Sequence, residues 1–143
     1  MNWAYLFLRF DGRISRKPYW IAFCSLTVAS LGSLFVFYYL GQNRLSNITD
    51  LALLYPEFAV LTKRAHDRET PIWIVIAYLA LSALLSVISF LGFDGPFNNP
   101  STLYWIVVVP MWIAATYLII DLGFRRGTRG PNGFGPDPLE IQP

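Results

Sequence analysis

The stretch "NITDLALLYPEFAVLT", residues 47–62, decides whether this chain crosses a membrane three times or four. It holds two carboxylates, Asp50 and Glu57, and places Pro56 near its middle, so its own hydropathy is ambiguous. The segments around it are not. No charged residue occurs between Lys17 and Arg44, between Glu69 and Asp94, or between Asp94 and Asp121. Those gaps contain "YWIAFCSLTVASLGSLFVFYYL" (19–40), "IWIVIAYLALSALLSVISFLGF" (72–93) and "TLYWIVVVPMWIAATYLII" (102–120). A hydrocarbon core of about 30 Å needs about 20 helical residues, and each run is of that order. Pro110 in the last run removes one backbone bond, which a membrane helix tolerates with a kink when its neighbours re-satisfy the freed carbonyl.

Charge placement resolves the ambiguous stretch. Arg9, Arg13, Arg16 and Lys17 precede the first run, and Arg44 follows it. Lys63, Arg64 and Arg68 follow residues 47–62, and Arg125, Arg126 and Arg129 follow the last run. If 47–62 crosses, every cation except Arg44 falls on one side; if it does not, they divide between the two sides. The positive-inside rule favours the first arrangement, with both termini and the 63–70 segment in the cytoplasm. Within the stretch, Asp50 reads as a first-turn carboxylate behind an Asn47 or Ser46 cap, where it complements the helix dipole. Glu57 either lies at membrane depth or, if Pro56 opens a second short helix, sits in that helix's first turn. Trp20 and Trp73 fall at the cytoplasmic interface and Tyr38, Tyr39, Tyr104 and Trp105 at the opposite one, as aromatic belts do.

Composition agrees with this reading. Of the 143 residues, 55% are hydrophobic and only 14% charged, against about 25% charged in soluble domains. The single cysteine, Cys24, excludes an intramolecular disulfide and a cysteine-based metal site, and no cofactor is expected. The first long apolar run starts behind a cationic stretch and lacks a small-residue cleavage pattern, so no cleavable signal peptide is expected. In "MNWAYLFLRF" the bulky residues Trp3, Leu6, Phe7 and Phe10 recur at helical spacing over a length too short to span, which predicts a helix lying in the interface. The expected fold is therefore all-α and polytopic, a single membrane domain over 1–143. It comprises an interfacial helix (1–12), four transmembrane helices (19–40, 47–63, 72–93 and 102–121) in a compact bundle, and a cytoplasmic tail (124–143). Small residues mark the expected packing faces: Ser25, Ala29 and Ser33 with Gly32 in the first span, Ala77, Ala80, Ser82, Ala83 and Ser86 in the third, Ala114 and Ala115 in the fourth.

Three stretches, "FDGRISRKPYW" (10–20), "RAHD" (64–67) and "NGFGPDP" (132–138), resemble the bacterial inner-membrane proteins of the domain of unknown function 805 family. That family typically shows a Gly-Arg-x-x-Arg-x-x-Tyr-Trp motif, an Arg-Arg-Leu-His-Asp motif ending a transmembrane helix, and an Asn-x-Tyr-Gly-x-Asp-Pro tail. Here Ala65 stands at the leucine, Phe134 at the tyrosine, and "TPIW" (70–73) replaces a Ser-Gly-Trp-Trp stretch. The resemblance covers essentially the whole chain and implies a fold, a topology and an inner-membrane location, with no activity attached.

The expected topology places all three motifs on one membrane face, and two readings follow. In the structural one, Arg13 or Arg16 pairs with Asp67, Asp121 pairs with Arg125 one turn on, and Asn132 and Asp137 shape turns in the tail. In the ligand reading, Arg13, Arg16, Lys63, Arg64, His66, Asp67 and Arg68 form a site for an anionic lipid headgroup or another phosphate, which arginine forks match bidentately. Catalysis is not expected. His66 and Asp67 are adjacent on a helix and so diverge, and neither a nucleophile motif nor a second histidine accompanies them. The tail's glycines lack a following Lys-Ser/Thr helix and read as turns. Glu57 carries the alternative reading, a small transporter or channel component, because intramembrane carboxylates are costly and often functional; its bland counterpart is a local contact with Arg64, seven residues on. Expected partners are membrane lipids and another membrane protein or a second copy, with no nucleic acid.

Overall fold

The computed structural model describes residues 2–96 and 98–140. Met1 and residues 141–143, the outermost parts of the expected interfacial helix and tail, lie outside the described residues. The chain is helical, in the order α1 (Trp3–Leu8), α2 (Arg16–Tyr39), α3 (Ser46–Arg68), α4 (Ile72–Leu91) and α5 (Thr102–Leu118). A π-helical turn, Ile119–Phe124, continues α5. Among the described residues three helices are long and apolar enough to cross a membrane: α2, α4, and α5 with its π turn. Their outer faces carry exposed Leu31, Phe35, Trp73, Ile106, Trp112 and Ile113, a surface for lipid contact rather than for water.

Local signals set the boundaries. α2 accepts Pro18 because the first turn needs no N–H donor there. Asn2 and Ser101 cap α1 and α5, each side chain accepting a backbone N–H at 3.1 Å. α3 stops at Glu69, which turns left-handed (φ 56°) just before Thr70-Pro71. α4 stops at Gly92 in the same left-handed way.

Two features of residues 47–62 differ from expectation. α3 runs unbroken through Pro56, so Glu57 lies mid-helix and no second helix begins there. Asp50 is not a first-turn carboxylate: a short 3₁₀ turn, Asn43–Leu45, leads into a helix that already starts at Ser46. Asp50 faces α2 instead, accepting from Ser30 Oγ at 2.6 Å.

Sequential helices pack as neighbours, α2 on α3, α3 on α4 and α4 on α5, while α1 lies against α3. Through their backbones, α2 and α3 approach α5 only at its terminal π turn. The compact bundle anticipated from small-residue stripes is therefore closed at one end and open toward the other. The stripe on α2 also faces outward, with Ser25, Ala29 and Gly32 exposed. At the closed end α2 packs through Tyr19 and Ala22, in one buried cluster with Leu6, Leu61, Ala65, Leu118 and Leu122.

The 63–70 segment, which the expected spans at 47–63 and 72–93 leave largely as their connection, is for the most part the last turns of α3. Lys63 is fully buried there. Its ammonium donates to the carbonyls of Tyr5 and Leu6 at 2.8 Å each and to that of Arg9, supplying donors that the end of α1 lacks. Edge-on contacts of Phe10 with Tyr55 and a Tyr55 hydroxyl donating to Leu8 O at 3.1 Å complete the docking of α1. A Lys63→Met substitution keeps the apolar stem and removes these charged hydrogen bonds. It is expected to weaken α1 docking by about 2–4 kcal/mol, read as faster tryptic cleavage at Arg9 and a red-shifted, more quenchable Trp3.

Candidate functional site

The closed end is organised around Asp67. Its carboxylate lies between two guanidiniums: Arg13 Nη2 stands 3.0 Å from Oδ1, and Arg64 Nη1 contacts Oδ2. Arg13, Arg64 and Asp67 are all buried. An isolated buried charge is prohibitive in energy, and even a paired one persists only if its remaining hydrogen-bonding groups are satisfied. Arg13 meets that condition by donating to Gly130 O (2.9 Å), Gly135 O (3.1 Å), Thr128 O (2.8 Å) and Thr128 Oγ1 (3.0 Å). Arg64 donates to Leu122 O and Arg125 O at 2.6 Å each, and to Ile14 O at 3.3 Å. The anticipated contact between Arg64 and Glu57 is absent: Arg64 turns to the end of α5, and Glu57 accepts from Tyr78 Oη at 2.9 Å.

The same logic recurs at each helix end nearby. The last carbonyls of α3 are met by the tail, with Asn132 Nδ2 donating to His66 O (3.0 Å) and Thr128 N to Asp67 O (2.8 Å). The π turn and the residues after it receive Trp20 Nε1 on Gly123 O (3.1 Å), Arg16 on Phe124 O (3.3 Å) and Arg68 on Arg126 O. Cations at helix C-termini also complement the dipole.

Two glycines are required by close approach. A Cβ on Gly123 would stand 2.7 Å from the Trp20 ring, and one on Gly127 would overlap the Asp67 carboxylate. Asp121, beside this network, accepts from Thr70 Oγ1 (2.5 Å), Arg68 (3.2 Å) and Arg125 (3.2 Å). The tail is a series of turns: Asn132 and Gly135 exchange backbone bonds, and Asp137 accepts from the N–H groups of Gly130 and Leu139. The Leu139 N–H in particular holds the Asp137 carboxyl below the usual carboxylate range.

Among the anticipated site residues, Arg13, Arg64 and Asp67 meet directly, and Lys63 sits one turn back on α1. His66 points elsewhere than Asp67: its Nδ1–H donates to Gly12 O at 3.1 Å, and its ring stacks on Phe134 at 3.9 Å. No cluster of three or more His, Cys, Asp or Glu suited to a metal gathers among the described residues. Beside the network lies a concavity of about 210 Å³, lined by Ser15, Arg16, Lys17, Arg126 and Leu139, with Arg64, Asp67 and Asp137 in its wall. Lys17 and Arg126, both exposed, did not emerge from the motif spacing. The chain signals them only as cations just inside or outside a motif.

These contacts join the Gly-Arg motif, the His-Asp motif and the Asn–Asp-Pro tail in one hydrogen-bonded unit. A family model described as "Protein of unknown function (DUF805)" matches residues 7–136. The chain belongs to the DUF805 family. "Uncharacterized protein YiiR" of Escherichia coli (strain K12) is 32% identical over 143 residues, covering 93% of this chain and 88% of the relative, and its counterpart in Escherichia coli O157:H7 matches equally. No solved structure matches. In this DUF805 chain the three signature stretches thus make one construction, Arg13 of the first holding Asp67 of the second and the carbonyls of the third.

Asp67→Asn leaves Arg13 and Arg64 buried beside one another without their shared anion. The expected loss is about 3–5 kcal/mol, measured as a lowered melting temperature in detergent. Arg125→Ala, which removes the mostly exposed partner of Asp121, is expected to cost no more than about 1 kcal/mol.

Proposed function

We propose that the protein is a four-span bacterial inner-membrane accessory module, non-enzymatic, with both termini cytoplasmic, whose cytoplasmic face binds anionic lipid headgroups. Support for a fourth span comes from α3, whose 23 residues reach about 34 Å and which packs between α2 and α4. Charge parity supports the orientation.

The observation that carries the lipid reading is the start of α2. Arg16 and Lys17 occupy the first turn of a 24-residue helix, where the dipole disfavours positive charge and favours an anion. Both border the 210 Å³ concavity, which four cations (Arg16, Lys17, Arg64, Arg126) and two carboxylates (Asp67, Asp137) line, an excess of two positive charges. Arg13, Lys63 and Arg64 are committed to backbone carbonyls and to Asp67, so they shape the face, and Arg16, Lys17 and Arg126 make the headgroup contacts. Arg68 is held by Asp121 and Arg126 O, and His66 and Asp67 position the tail. Another membrane protein or a second copy would engage the exposed apolar flanks.

Arg16→Gln/Lys17→Gln/Arg126→Gln removes three surface cations worth about 1 kcal/mol each toward anionic lipid, a roughly hundredfold loss of affinity. Mass spectrometry of purified protein should show phosphatidylglycerol and cardiolipin depleted in this variant, at a melting temperature lowered by no more than the loss of the exposed Arg16–Phe124 O bond; equal lipid content would refute the lipid site. For orientation, a C-terminal fluorescent-protein fusion should glow and an alkaline phosphatase fusion stay inactive. The reverse pattern would overturn the topology.

A further inference from the structure

At the open end of the helix array, α2, α3, α4 and α5 border a half-open cavity of about 510 Å³. Its size falls in the range of small-molecule sites, about 300–1,000 Å³. Leucines make much of its wall, and two carboxylates face it: Asp50 and Glu57. Seven residues apart, they lie on one side of α3, about 10 Å apart along its axis. Serines Ser82, Ser86 and Ser89 of α4 also line it, at helical spacing. Tyr19, Tyr78, Tyr104 and Trp112 bring aromatic rings to the same space.

The charge balance of this cavity is one-sided. Among the described residues no lysine, arginine or histidine lines it. The cations nearest along α3 are engaged elsewhere, Lys63 by the carbonyls of α1 and Arg64 by Asp67 and α5. Among the described residues Asp50 accepts one hydrogen bond from the chain, from Ser30, and Glu57 one, from Tyr78. A carboxylate has about four acceptor positions, so most of the capacity of both groups is open to the cavity. A carboxylate flanked by apolar walls requires a countercharge or a proton, and rings within reach of a cation add cation–π attraction.

We propose that this cavity is a binding site for a lipophilic monovalent organic cation, its charge held between Asp50 and Glu57 and its apolar groups against the leucines and aromatic rings. The site is separate from the lipid-binding cytoplasmic face and does not depend on it: a headgroup contact can fail while the cavity still binds, and the reverse.

Tetraphenylphosphonium and tetraphenylborate, nearly identical in shape and opposite in charge, provide the test on detergent-purified full-length protein. Tetraphenylphosphonium is expected to bind saturably with one site per chain, and tetraphenylborate not to compete. Glu57→Gln and Asp50→Asn should each weaken binding at least roughly tenfold. Ser86→Leu, which keeps both charges and fills the cavity, should abolish binding, so the result does not hang on the carboxylate variants folding; monodisperse elution of each variant is the control. Absence of saturable binding by wild type, equal binding of the two probes, or unchanged affinity in Glu57→Gln, Asp50→Asn or Ser86→Leu would overturn the site.

Discussion

A carboxylate buried between two arginines fixes the architecture of this protein. Asp67 stands at the end of α3, and Arg13 and Arg64 reach it from the segment before α2 and from one turn earlier in α3. A buried ion pair adds little stability over a well-packed apolar substitute, because desolvation consumes most of the Coulomb gain. Its strength is selectivity. Each guanidinium has more donors than Asp67 can accept, and the surplus fastens specific backbone carbonyls, those of residues 128, 130 and 135 to Arg13 and those of 14, 122 and 125 to Arg64. A different register of the tail or of α5 would leave buried charge unsatisfied, which is far costlier than a misplaced apolar contact.

Helix ends explain why so many cations gather here. An α-helix leaves its last carbonyls without partners, and where the chain packs them away from solvent something must supply donors. α1 is supplied by Lys63, α3 by Asn132 and Thr128, and the π turn that continues α5, with the residues beyond it, by Arg64, Trp20, Arg16 and Arg68. The widened turn Ile119–Phe124 belongs to this arrangement, since the carbonyls of Leu122, Gly123 and Phe124 accept from α2 and α3 side chains. Gly123 and Gly127 complete it by subtraction, leaving room for the Trp20 ring and the Asp67 carboxylate.

The apolar helices and the charged end were legible in the sequence for different reasons. Charge-free runs of about 20 residues permit few structures, so α2, α4 and α5 could be placed from hydropathy alone. The convergence of the three motifs followed from topology, and the pairing of Asp121 with Arg125 from helical spacing; for Asp67 the charges offered Arg13 or Arg16, and the structure takes Arg13. Contacts set by side-chain reach across helices were not legible. Asp50 resembled a helix-start residue because its partner Ser30 lies on another helix. Arg64 was close to Glu57 in helical phase, yet a guanidinium at the end of α3 gains three carbonyls by turning to α5 and α2's approach segment, and Glu57 finds Tyr78. The end of α3 was not legible either: hydropathy ends the expected span at residue 63, whereas the helix runs on to Arg68, where the left-handed Glu69 and Thr70-Pro71 stop it.

The closed and open ends of the array stand in a physical relation. Ion pairs, capped carbonyls and a buried apolar cluster all lie at one end, so the helices are registered there and little is required of their other halves. Small residues on α2 that would draw helices together point outward, and the carboxylates Asp50 and Glu57 with the serines of α4 line the space that remains. Closing that space by apolar packing would strand two carboxylates among leucines, at a cost no local hydrogen bond offsets. The opening is thus the consequence of placing negative charge on the inner face of α3 while every cation on that helix is drawn to the opposite end.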